Sequence, residues 1–219
     1  SGEERLHSLP ILAPTFCELL LAETGRLHDA LGAEAATGSH EAGRLVDRPL
    51  ALNSTTGLAW ISDLLLSLVV RPLSAVVHPN ESHSVPLDWG HSFVVGYGKE
   101  PAPGLTRTAL VKHTDDSEIT LNLCLGQSFE GGEVLFGPQR GDEHLSEEGI
   151  AVKPEIVRGI LHIGRHIHEV LPVTGGQRHS LILWARSLGG VRSEVCPCCW
   201  MNRRERGHGA SCVCGPAWN

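Results

Sequence analysis

Two periods of apolar residues divide the chain. In the N-terminal part, Phe16, Leu19, Leu20, Leu27 and Leu31 recur at roughly helical spacing behind Pro14, a residue suited to a first helical position. A stretch rich in Gly, Ala and charge, about residues 32–57, reads as a loop. A second helical segment covers about 60–77, and Pro72 should kink it or begin a new turn. Past residue 90 the period becomes two. His91–Tyr97 is strand-like. In Glu118–Leu125, Ile119, Leu121, Leu123 and Leu125 face one way and Thr120, Asn122 and Cys124 the other. Short strands are expected at Glu133–Phe136, Gly159–Ile163, Glu169–Leu171 and Ser180–Ser187, separated by turns at Gly131-Gly132, Gly175-Gly176 and Gly189-Gly190. Helices first and then many short strands predict an α+β fold with a sandwich or barrel. The expected units are a helical support over 1–80, a β core over 81–190 and a Cys-rich tail over 191–219, with the whole forming one compact body.

Composition adds exclusions. The chain has 219 residues and a formal charge of −7, so it lacks the basic face of a nucleic-acid binder, and no nucleic-acid partner is expected. Its one basic cluster, Arg203, Arg204 and Arg206, is broken by Glu205. The apolar stretch Leu58–Val77 is interrupted by Asp63, Arg71 and Pro72, so no membrane span is expected. Ser1-Gly2 reads as a cloning remnant, which leaves any targeting segment open. The triplets starting at Asn53 and Asn80 are glycosylation sequons of the kind that arises by chance.

The chain is rich in His (13) and has 7 Cys. His113-Thr114-Asp115 stands just before the alternating strand. In an extended segment residues i and i+2 point the same way, so both side chains can reach one ion. With 25 acidic residues in the chain, one such triplet is near chance. Its context carries the weight. His168 lies 53 residues beyond Asp115, and Arg178 ten further, after a Gly-Gly pair; a hairpin of that length would set the Arg beside the distal His. Two imidazoles and one carboxylate on one face of an ion, with open positions opposite, are what non-haem iron(II) oxygenases use. A 2-oxoglutarate cosubstrate that chelates the iron needs a cation for its far carboxylate. Arg178 offers a permanently charged fork. Ser180, on the same strand face, adds a hydroxyl, and Ile182 and Trp184 continue that face as a pocket wall. His166 rivals His168 as the distal ligand, although its spacing to Arg178 is worse. His162 reads as structural, and His179 points away from Arg178.

These residues resemble a known family. The segments HTDDSEITLNLCLG (113–126), FEGGEVLF (129–136) and HEVLPVTGGQR (168–178) are similar to the prolyl and lysyl hydroxylases, the lysyl type most, and to 2-oxoglutarate- and iron-dependent oxygenase-domain proteins. The resemblance covers roughly 95 residues and implies a double-stranded β-helix (jelly-roll) core. It implies His113, Asp115 and His168 as iron(II) ligands and Arg178 as the 2-oxoglutarate anchor. Tyr97, the only Tyr, and Asn122 match positions that face the cosubstrate. Oxygen is the co-reactant, with ascorbate as a supporting reductant. A protein or peptide side chain, Lys or Pro, is favoured over a small molecule as substrate. The stretch between Tyr97 and His113 is longer than in compact prolyl hydroxylases.

The tail holds Cys196, Cys198, Cys199, Cys212 and Cys214. Thiolates at this density suit a structural zinc ion, with disulfides or free thiols as alternatives. The clustering weighs toward an intracellular setting over the ER lumen. The rival functional readings are a catalytically degenerate jelly-roll or zinc-organised binding module, and a cupin-type dioxygenase independent of 2-oxoglutarate.

Overall fold

In the computed structural model, the described residues are 6–37, 48–55, 57–79, 86–99, 107–140 and 149–188. Helix α1, Pro14–Ala36, starts at the predicted proline and runs past Leu31 into the stretch expected to be a loop. Helices α2 (Ala59–Leu65) and α3 (Arg71–Val77) are joined by a π-helical turn, Leu66–Val70. The Arg71 N–H bonds the Leu66 carbonyl, five residues back. This wider turn re-spaces the backbone ahead of Pro72, which has no N–H to give and crowds an ordinary helical turn. Pro72 sits in the first turn of α3, as expected of a proline that begins a new turn. The result is one 19-residue helix, Ala59–Val77, which is long and apolar enough by length and composition to cross a membrane. Asp63, Arg71 and Pro72 fall within it without breaking it. Here Ile61, Leu65, Leu66 and Val70 pack it into the core.

The strands are β1 (His7–Pro10), β2 (Leu50–Ala51), β3 (Trp89–Gly98), β4 (Leu110–His113), β5 (Ile119–Gly126), β6 (Phe129–Gly131), β7 (Val134–Gln139), β8 (Ile150–Val152), β9 (Arg158–Ile163), β10 (His166–Val170) and β11 (Val173–Arg186). The major sheet has the order β1-β9-β5-β11-β3-β2, with β6 also on β11; the minor sheet is β4-β10-β7-β8. All of these pairs are antiparallel. Two facing antiparallel sheets backed by helices agree with the expected α+β jelly-roll. Strand β1 precedes the first helix and β2 falls in the stretch read as a loop, so neither was expected.

Alternation sorts the side chains of the major sheet. Ile119, Leu121, Leu123 and Leu125 of β5 join Leu181, Leu183 and Ala185 of β11 in a core with Leu20, Leu65 and Val70 of the helices. The opposite face meets the minor sheet through Val95, Tyr97, Val170 and Val173 at one end and Val134, Phe136 and Ile160 at the other. Burial of this kind contributes about 25 cal/mol per Å² of apolar surface.

The expected hairpin carrying His168 and Arg178 does not form. Strand β10 pairs with β4 and β7, whereas β11 pairs with β3, β5 and β6. Gly175-Gly176 lies inside β11, where the register slips against β6, and Gly176 has φ +67°. The corner falls earlier, at Leu171-Pro172, where proline has no N–H for a ladder.

Several buried imidazoles tie the helices to the sheets. Burial pushes His28 of α1 and His179 of β11 below the ordinary range, and the proximity of His28 lowers His179 further. His78, after α3, is lowered from 6.5 to about 4, first by burial and then by neighbouring His7. These groups fold neutral, so the unfolded chain takes up protons first as pH falls through 6.5, and stability is lost from there toward about 4. Metal-stripped protein should therefore melt roughly 5 °C or more lower at pH 5 than at pH 7. A melting temperature that stays level or rises on acidification contradicts the neutral assignment.

Candidate metal and cosubstrate site

His113 ends β4 and lies directly across from His168 on β10. Their rings are 4.3 Å apart. Asp115 follows in the turn to β5, where its N–H donates to the Gly164 carbonyl at 2.9 Å. Gly164 is required here, because a Cβ would strike the Ser117 carbonyl. The three side chains converge, with their ligand atoms all within 4.8 Å of one another. His113 Nε2 is 3.7 Å from Asp115 Oδ1, and His168 Nε2 is 3.7 Å from Asp115 Oδ2. His113 and His168 are thus neighbours in one sheet.

The hydrogen bonds fix which ring atoms are free. His113 Nδ1 is 2.8 Å from the Val111 carbonyl, and His168 Nδ1 is 2.9 Å from the His166 carbonyl. A carbonyl only accepts, so each Nδ1 carries the hydrogen and each Nε2 presents a lone pair to the site. Burial holds His168 below the ordinary imidazole range, partly offset by Asp115, and the neutral form is the one that ligates. Asp115 Oδ2 accepts from Thr120 Oγ1 at 2.7 Å, and Ser117 Oγ lies 2.7 Å from the same hydroxyl. Asp115 and His168 are buried while the His113 side chain is 28% exposed, so the cluster opens on the His113 side. This donor set fits a divalent transition metal with open positions.

Arg178 is 1% exposed. It lies beside Tyr97 in the ladder, with its guanidinium 5.4 Å from the Tyr97 ring centre. Nη1 donates to the Gly132 carbonyl at 2.8 Å, and the buried Nε has no partner. Gly132, at φ +70°, is another glycine with a reason: a Cβ would press on Val173 and approach Arg178. No carboxylate among the described residues forms an ion pair with Arg178. A buried, unpaired guanidinium is costly unless an anion meets it. Ser180 Oγ, on the same face, is also buried and unpartnered. Two orphaned donors on one strand fit the carboxylate of a dicarboxylic cosubstrate.

The remaining expected residues fall as follows. Asn122 and Ile182 are ladder neighbours on this face, as are Thr120 and Trp184. Trp184 joins His91 and Phe93 in bounding a cavity of about 630 Å³ that reaches Leu27 and Leu31 of α1. The geometry chooses His168 over His166, whose ring packs on Phe136 at 5.3 Å. Cys196, Cys198, Cys199, Cys212 and Cys214 lie outside the described residues. The sequence reading missed Thr120, which stood in view on the polar face of β5, and Gly132 and Gly164. It also missed the clamp on the ligand turn: Arg186 pairs with Asp116 at 2.8 Å and covers Trp89 at 4.5 Å.

No family model matches the chain. It is 34% identical over 191 residues to the 2-oxoglutarate and iron-dependent oxygenase domain-containing protein CP2 of Arabidopsis thaliana, across 81% of this chain and 44% of that protein. The chain is a relative of the 2-oxoglutarate and iron-dependent oxygenase-domain proteins. It spans about half the length of the curated relatives it matches. Its fold is shared with prolyl 4-hydroxylases from Phytophthora capsici, at TM-score 0.55 and 15% identity over 85% of this chain and 60% of that one. It is shared too with a Trichoplax adhaerens prolyl hydroxylase solved with a hypoxia inducible factor peptide, at TM-score 0.51 and 14% identity over 86% of each.

Thr120→Val keeps the side-chain shape and removes the hydroxyl that holds Asp115. Divalent-metal affinity is expected to fall about 10-fold or more. A Mn(II) titration that matches wild type contradicts that role for Thr120.

Proposed function

We propose that the chain is an iron(II)- and 2-oxoglutarate-dependent oxygenase that hydroxylates a peptide side chain. The observation that carries this reading is the pairing of two sites on facing sheets. A His-Asp-His donor cluster sits on one, and a buried, unpaired Arg178 with an orphaned Ser180 on the other. A metal site alone would leave Arg178 unexplained, which also weighs against a cupin-type dioxygenase and a degenerate binding module.

His113, Asp115 and His168 would hold the iron. When bound, iron with 2-oxoglutarate supplies oxygen activation coupled to decarboxylation of the cosubstrate to succinate. The chain supplies position and dryness. Thr120 holds the carboxylate of Asp115, and the backbone carbonyls of Val111 and His166 hold the two imidazoles in the ligating tautomer. Arg178 and Ser180 would take the far carboxylate of 2-oxoglutarate, with Tyr97 and Asn122 beside it. Trp184, Ile182 and the cavity next to them would line the substrate's approach. The peptide reading is supported by the peptide-bound fold neighbour. Lys and Pro side chains head the substrate classes to test.

Purified chain with iron(II) and 2-oxoglutarate should form succinate, and peptide libraries bearing Lys or Pro should gain one oxygen by mass. His113→Ala and Asp115→Ala are expected to abolish succinate formation; wild-type turnover in either variant contradicts the ligand set. Arg178→Met should raise the KM for 2-oxoglutarate by about 100-fold, as expected when one partner of a buried charge pair is removed. An unchanged KM places the cosubstrate elsewhere.

A further inference from the structure

His162 is fully buried, on β9 directly across from Thr120. It therefore shares the face that carries the Asp115 contact. Its Nδ1 lies 3.0 Å from the Ile163 carbonyl, which fixes the hydrogen on that nitrogen. Nε2 is left with a lone pair and no partner. That lone pair lies 3.8 Å from Asp115 Oδ2. The ring stands edge-on to His168 at 5.0 Å and to Phe136 at 5.0 Å. Phe136 in turn stacks on His168 at 5.5 Å. His162 thus stands against Asp115 and His168, two of the three residues of the donor cluster, without belonging to it.

Most imidazole nitrogens sealed in a core are hydrogen-bonded. Here one is bonded, and the other presents its electron-rich end to a carboxylate. Two acceptors facing each other without a donor raise the energy of the site when no cation is present. A divalent ion at Asp115 reverses the sign, because the negative end of the imidazole dipole then faces a positive charge.

We propose that His162 is a positioning residue of the metal centre: its Nε2 lone pair faces Asp115, its ring packs edge-on against His168, and together these contacts favour the metal-loaded state without ligating the ion. The proposal rests on the metal-site reading above.

Asn and Gln separate the two nitrogens of the ring. Asn at this position keeps a donor near Nδ1, and Gln keeps a polar atom near Nε2. Co(II) is the probe, read by its visible spectrum and by calorimetric titration of the whole chain, with circular dichroism to confirm folding. His162→Asn is expected to weaken Co(II) binding about 10-fold and shift the Co(II) spectrum, as loss of a group supporting the ligands does. His162→Gln should stay within about 3-fold of wild type. Wild-type affinity and spectrum in His162→Asn overturn the proposal, as does an equal loss in both variants, which would make the ring mere packing. If either variant is unfolded, His162→Phe is the second test: it keeps the ring and removes both nitrogens. It is expected to fold and bind Co(II) as weakly as Asn, and wild-type binding by it overturns the proposal. Failure of wild type itself to bind Co(II) overturns the metal-site reading and this inference together. Loss confined to His162→Asn with no succinate from wild type leaves the inference standing and removes only the oxygenase reading.

Discussion

The register of β11 governs this molecule. Fourteen residues in one strand pair with β3 on one side and with β5 and β6 on the other. Because a strand alternates its side chains, a single choice of register places Leu181, Leu183 and Ala185 against the helices and Arg178, Ser180, Ile182 and Trp184 toward the minor sheet. A slip of one residue would bury a guanidinium in the helical core and turn leucines into the site. The apolar side of the strand thus enforces the polar side. The fully buried leucines are what oblige Arg178 to sit, buried and without an ion-pair partner, on the opposite face of the strand. The Gly132 carbonyl and the Tyr97 ring offset part of the cost of that charge, and an anionic ligand would offset more.

The two halves of the site are built by different means. The anchor half is set by the rigid centre of the major sheet. The donor half lies on the minor sheet and on a turn, and needs more support. His113 and His168 face each other across one β pair, but Asp115 belongs to neither strand. Its backbone is held by Gly164, its carboxylate by Thr120, and the next residue by Arg186. Thr120 comes from the adjoining strand, and Gly164 and Arg186 from distant stretches of chain.

That difference explains what could be read from the sequence. The alternation of β5 and β11 gave the site-facing residues Asn122, Ser180, Ile182 and Trp184, because period two is local information. Pro14 marked the start of α1 for the same reason. His113-x-Asp115 with His168 and Arg178 was legible as an ordered set, although the supposed hairpin behind it was not real; the spacing was right and its geometric explanation was wrong. Strands β1 and β2 were invisible because two to four residues carry no period, and they become strands only by pairing with β9 and β3. Gly132, Gly164 and His162 act through partners far along the chain, which no spacing rule announces.

His162 shows how the same residue type divides its labour here. Three histidines meet near Asp115, and each uses Nδ1 against a backbone carbonyl, which leaves three Nε2 lone pairs aimed inward. Two belong to the donor cluster; the third stands behind. Imidazole Nε2 atoms around one carboxylate form an electron-rich pocket whose only nearby hydrogen-bond donor to that carboxylate, among the described residues, is the Thr120 hydroxyl. Such a pocket is poor at packing and good at holding a cation. The fully buried Arg178 is its converse, a cation held without an anion. An electron-rich hollow and a lone buried cation, on facing sheets of one fold, are complementary to a metal ion and a dicarboxylate bound together.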